Sequence, residues 1–168
     1  MSEPASDSGF TLIEVLVAIT LMGILMAIAV MGFSHYSSAH QEAGTARSLQ
    51  SALRQAQERA VSDGRAVCVK FDDVSWSVWR TACNSTTGQH LDGPTTTESV
   101  DVHLQGLSGS ELVFTPRGTA SWSTLSTDAV DPLCGSVKAF AVKVTRSDST
   151  KTYRLCIPAL TGRVDLHG

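Results

Sequence analysis

One carboxylate stands in an apolar run. Residues 9–19 read GFTLIEVLVAI, and Glu14 is the sole charged residue between Phe10 and Phe33. Inside a bilayer an ionised carboxylate costs a few kcal/mol on insertion scales, less near the interface than at the centre. Two arrangements relieve that cost: the side chain reaches the interface, or it meets a cation on a neighbouring chain. Cleavage between Gly9 and Phe10 would create such a cation, the new α-amine of Phe10, about one helical turn from Glu14. In a staggered array of identical helices the amine of one subunit approaches Glu14 of the next. A pair of this kind adds little net stability, but it specifies register.

The remaining reactive side chains form no recognisable catalytic frame. His35, His40, His90, His103 and His167 are scattered, with no HxxxH or HExxH spacing, and no GxSxG turn or glycine-rich phosphate loop is present. Cys68, Cys83, Cys134 and Cys156 all follow the apolar run, and none falls in a CxxC spacing, which disfavours a zinc knuckle or a thioredoxin-type pair. An even number of cysteines in a membrane-tethered, exported domain points to two disulfides, and four thiols allow three pairings. No spacing implies a metal or a cofactor. Trp76 and Trp79, three apart in a predicted strand, point to opposite faces, so one belongs to the core. Arg117, Arg146, Lys151, Arg154 and Arg163 concentrate toward the C-terminal half but are interleaved with Asp148 and Asp165, the pattern of a solvated face. The formal net charge of −3 over 168 residues disfavours a protein built mainly to hold nucleic acid.

The elements that position these residues follow from hydropathy and periodicity. The apolar run from Phe10 to Phe33 would span about 36 Å as a helix, enough to cross a hydrocarbon core of about 30 Å. Beyond it, Ala39, Ala43, Ala46, Leu49, Leu53, Ala56 and Ala60 recur at steps of three and four, the period of one helical face. No proline intervenes from Phe10 to Gly64, and Ser62-Asp63-Gly64 supplies a stop, so one helix is expected over 10–62. Its first half (10–33) is apolar all round and its second half (34–62) is amphipathic with a narrow stripe, in which Leu49 and Leu53 should carry most of the docking.

From Arg65 the pattern turns to β. AVCVKF and WSVWRTA alternate around the Asp72-Asp73 turn, residues 84–99 read as a Thr/Gly-rich loop, and VDVHLQGL and ELVFTPRGTASW read as short strands. TDAVDPLCGS is turn-rich, while VKAFAVKVTR and KTYRLCIPA alternate around Ser147-Asp148-Ser149 as a hairpin. The expected class is α+β: a long helix, transmembrane in its first half, whose amphipathic half docks on an antiparallel β head spanning 63–168.

The stretch GFTLIEVLVAI resembles the class III signal of type IV pilins and type II secretion pseudopilins. The resemblance runs through Gly9, Phe10, Thr11, Leu12, Ile13 and Glu14 and on through the apolar helix. It implies that residues 1–9 are a leader removed by prepilin peptidase, that Phe10 becomes an N-methylated N-terminus, and that Glu14 is the assembly carboxylate. The implied partners are the membrane, other pilin or pseudopilin subunits and an inner-membrane assembly platform. Downstream, ARSLQSALRQAQERAVSDGRAVCVKF, ELVFTPRGTA and YRLCIPALTGRVDL are similar to the GspH/FimT minor pseudopilins and minor pilins. The sequence departs from the wider family in two places. Its leader carries Glu3 and Asp7 rather than a Lys or Arg, and no proline falls in the upper membrane helix.

The resemblance implies a structural subunit without catalysis, in either a secretion pseudopilus or a type IV pilus. Some members of the subfamily bind DNA through a C-terminal motif with two arginines. Here Arg163 is followed by Val164 and Asp165, an acid where a phosphate contact would be needed. A different class is an exported soluble binding domain, since Ala27-Ile28-Ala29 satisfies the A-x-A rule for signal peptidase; the apolar run is long for an h-region and the n-region lacks positive charge.

Overall fold

The computed structural model describes residues 11–84, 86–105, 109–123, 134 and 139–168, with the side chains of residues 30–39 and 123 outside that description. The leader, the Gly9–Phe10 junction, the side chains of His35 and Ala39 and most of the turn-rich stretch 127–136 therefore lie outside that description. The chain divides into two compact units, residues 1–39 and 40–168.

One helix, α1, runs over Leu12–Ser62. It begins at Thr11, whose Oγ1 and carbonyl oxygen both accept from the backbone N–H of Glu14, at 3.3 and 3.1 Å. A threonine cap with a glutamate at the third helical position is the capping-box pattern, and it also places negative charge at the positive end of the helix dipole. The helix ends where Asp63 N–H donates to Arg59 O and Gly64 takes a left-handed φ of 62°, the usual glycine stop.

Among the described residues nine strands follow: β1 (Val67–Phe71), β2 (Ser75–Arg80), β3 (Gln89–Thr96), β4 (Val102–Gln105), β5 (Glu111–Phe114), β6 (Ala120–Ser123), β7 (Ala139–Arg146), β8 (Thr152–Pro158) and β9 (Asp165–His167). They form two antiparallel sheets, one in the order β3-β2-β1-β5-β6 and the other in the order β4-β7-β8-β9. The sheets are tied by backbone bonds from Leu104 N–H to Asp73 O at 2.7 Å and from Ala120 N–H to Ala159 O at 2.9 Å. Alternation explains the core: Val67, Val69 and Phe71 of β1, Phe140, Val142 and Val144 of β7, and Leu112 and Phe114 of β5 are all fully buried. Phe140 is the hub, with its ring 5.6 Å from that of Phe71 and 5.8 Å from that of Trp122.

The expected α+β class is found, with two differences of detail. The Thr/Gly-rich stretch 84–99 contains β3, which pairs with β2 through register shifts around Val78. Gly93 and Pro94 break the alternation that would announce a strand, and they are tolerated because β3 is the sheet's edge. The second difference concerns the helix stripe. Ala46, Leu49, Leu53, Ala56 and Ala60 are buried as expected, but the stripe continues through Thr45 and Glu42, and Ala43 is only half-buried. Counting back from Ala60 by about five turns of 3.6 residues reaches position 42, so geometry puts a glutamate where the alanine pattern had pointed to Ala43.

Candidate functional site

The N-terminal unit presents an apolar helix with one acid. Within α1, residues Leu12–Ala29 have a mean hydropathy of 2.6 and none of that segment is buried. Leu12, Ile13, Ile19, Leu25 and Ile28 are all more than 60% exposed, an arrangement stable in lipid or between like helices rather than in water. Glu14 sits in the first turn and is exposed. The Thr11 cap fixes the backbone there, which leaves the Glu14 carboxylate one turn inside the helix start and open to a neighbour.

In the head unit the four cysteines form two disulfides. Cys68 of β1 joins Cys83, just past β2, with Cα atoms 5.4 Å apart; Cys134 joins Cys156 of β8 at the same Cα separation. Each bridge pins a connecting segment to a strand. Trp76 is buried, whereas Trp79 lies half-buried on the opposite face with its ring edge-on to His90 at 4.7 Å. His103 Nδ1 lies 2.8 Å from Asp73 Oδ2.

The C-terminal Gly162-Arg163 segment is fastened to α1. Gln57 Nε2 donates to the carbonyls of Gly118 and Thr161 at 2.9 and 3.0 Å, and Arg54 donates to the carbonyl of Val164 at 3.1 Å. Gln50 Nε2 reaches the same Val164 carbonyl at 3.4 Å. Gly162 has φ 59°, and a side chain there would overlap the Gly118 carbonyl oxygen, so only glycine fits. Arg163 itself points away, 76% exposed, with Nε 2.9 Å from Asp165 Oδ1. Sequence reasoning had not assigned the helix partners of this segment. Their signal is the spacing of Gln50, Arg54 and Gln57, which puts three long polar side chains along one edge of the buried stripe.

A helix capped by Thr11, apolar and unburied at first, then covered by two antiparallel sheets, is a pilin-type fold. The type IV minor pilin FimU of Pseudomonas aeruginosa superposes with a TM-score of 0.54 at 17% identity, covering 79% of this chain and 92% of FimU. The minor pseudopilin EpsH from the Type 2 Secretion System of Vibrio cholerae superposes with a TM-score of 0.55 at 13% identity, covering 76% and 97%. Sequence narrows the class: residues 45–159 match the type II transport protein GspH family, and the chain belongs to it. Residues 5–30 match the prokaryotic N-terminal methylation motif. Type II secretion system protein H of Aeromonas hydrophila is 34% identical over 86 residues, covering 51% of this chain and 47% of that protein, so the match spans about half of that relative's length.

Proposed function

We propose that this chain is a minor pseudopilin or minor pilin, a structural subunit processed at its N-terminus and stacked into a filament through α1. The observation that carries the reading is the Leu12–Ala29 helix, fully unburied, with the exposed Glu14 in its first turn, inside a matched methylation motif. The precursor inserts with residues 1–9 in the cytoplasm and the head outside. Prepilin peptidase cuts after Gly9, and Phe10 is N-methylated. The assembly platform then adds the subunit to its neighbours. Helix packing drives association, and the Phe10 amine of one subunit meeting Glu14 of the next sets the register. The head, with its two sheets and two disulfides, selects which subunits fit. The Arg163–Asp165 ion pair offsets the charge a DNA phosphate would need, so the DNA-contact reading gains no support.

The test joins a mass measurement to one substitution. The mature protein from its native host should begin at Phe10 and be heavier by one methyl group. Glu14→Ala should enter the membrane normally yet fail to join filaments. A mature chain beginning at Val30 would refute the reading outright, and normal filament incorporation of Glu14→Ala would refute the role given to the carboxylate.

A further inference from the structure

Along the chain, the basic residues of the C-terminal half alternate with acids; in the second sheet the two kinds separate. Register places Gln105 of β4, Lys143 of β7, Arg154 of β8 and His167 of β9 opposite one another, strand by strand, across all four strands. Their neighbours along the strands, Leu104, Val142, Val144 and Leu155, are buried, so alternation turns this row away from the core. At a strand spacing of about 4.8 Å the row extends about 14 Å, and each side chain in it offers N–H donors. The acids nearby are taken. Asp165, in the next row, binds Arg163 at 2.9 Å, and Asp148, in the β7–β8 turn, binds Arg146 at 2.7 Å. Arg154 is engaged within the chain, whereas Lys143 and His167 have no hydrogen bond or ion pair among the described residues. Lys143 also stands directly opposite Arg154, a like-charge arrangement that a sheet built for stability alone avoids.

We propose that this row is a docking surface for an acidic helix of a partner protein, with Lys143 as its principal cation and Gln105 and His167 extending the contact. Charge complementarity selects an anionic partner, and spacing selects its form. Carboxylates three or four residues apart on one helix face have Cβ atoms about 5–6 Å apart, close to the interval between strands. An acidic strand would present them about 6.7 Å apart and fall out of step with the row. The helix would therefore lie across the strands, one carboxylate over each. A contact of this kind is screened by salt and governs partner choice and approach more than affinity. All four residues lie in the head unit, so the proposal does not depend on how α1 is processed or assembled. Lys143 and Gln105 join Arg154 only through the register, which is why the sequence shows a solvated alternation and the sheet shows a row.

The experiment titrates the full chain, in a non-ionic detergent at low salt, into a fluorescently labelled alanine-based helical peptide with glutamates at steps of three and four, with anisotropy as the readout. The expected result is saturable binding that weakens as salt rises. Lys143→Glu should weaken it roughly tenfold or more, because a like charge then faces the peptide. Arg65→Glu makes the same change of net charge at the exposed α1–β1 connection and should leave the affinity within about twofold. Lys143→Glu places a carboxylate opposite Arg154, so in a urea titration it should be at least as stable as the native chain. Should it fail to fold, Lys143→Gln removes the charge alone and should weaken binding about threefold. No saturable binding by the native chain would overturn the proposal. So would equal losses in Lys143→Glu and Arg65→Glu, which would mark attraction by overall charge. Tighter binding of duplex DNA carrying the same number of charges would also overturn it, by making the row a phosphate contact.

Discussion

Replacing Glu42 by methionine should make the head more stable. Glu42 is 2% exposed on the buried face of α1, in line with Ala46, Leu49 and Leu53, and its Oε2 is buried without a hydrogen-bond partner among the described residues. A polar group that loses water and gains no partner costs about 1–3 kcal/mol, and a charged one more. Methionine is unbranched, similar in length and adaptable in shape, so the substitution removes the polar atoms without opening a cavity. The expected gain is therefore about 1–3 kcal/mol. At about 2.1 cal/mol/K of unfolding entropy per residue, a unit the size of residues 40–168 shifts in Tm by roughly 4 °C per kcal/mol. Glu42→Gln, which removes the charge but keeps two polar atoms in the same place, should gain less.

The three tryptophans, Trp76, Trp79 and Trp122, all lie in the head unit, so their emission reports its unfolding without a contribution from the apolar helix. Urea titrations of the full chain in detergent, native against Glu42→Met and Glu42→Gln, give the midpoints, and an unchanged slope would show that the unfolded reference is the same. A Glu42→Met midpoint at or below the native one would refute the reasoning. It would mean that the carboxylate has a stabilising partner in solution, such as a trapped water bridging Oε2 to the core.

Two further substitutions test how the head is held to α1. Leu53→Ala, at a fully buried position in the stripe, should cost about 2–5 kcal/mol in the same titration, whereas Ala56→Gly should cost about 1; equal losses would contradict the view that leucines carry the docking. Gly162→Ala combines a left-handed φ of 59° with overlap on the Gly118 carbonyl, while Gly64→Ala has φ 62° and open space around it. The Gly64 variant should cost about 1 kcal/mol from the backbone alone. The Gly162 variant should cost distinctly more and loosen the Gln57 bonds; similar losses at the two sites would show that the tail is not held closely against the Gly118 turn.

Much of this fold can be read from the sequence wherever a residue's neighbours are all of one kind. β7 is legible because one face of the strand enters the core, so Phe140, Val142 and Val144 alternate with half-buried residues, whereas in β8 Leu155, Cys156 and Ile157 are buried in succession. β3 is not legible, since an edge strand with little buried surface has no reason to alternate. The disulfide pairing is not legible either, because it depends on where the β2–β3 connection returns to β1. The tail's attachment escapes for a related reason: its acceptors are main-chain carbonyls, which every residue has.

The two glutamates on α1 show the same limit from the other side. Glu14 is conspicuous in the sequence because everything around it is apolar, yet it is exposed, and in the assembly proposed above its partner belongs to a neighbouring subunit. Glu42 is inconspicuous, set among Gln41, Ala43 and Gly44, yet it is the one driven into the core. Local contrast in a sequence marks a group that nothing nearby along the chain can satisfy, whichever way its side chain faces. Burial of a polar group within the chain's own core depends on helical phase counted over about five turns, and a stripe that is half alanine records that phase only to the nearest residue. A shift of one position is enough to exchange Ala43 for Glu42, and with it a neutral contact for a buried carboxylate whose Oε2 has no partner among the described residues.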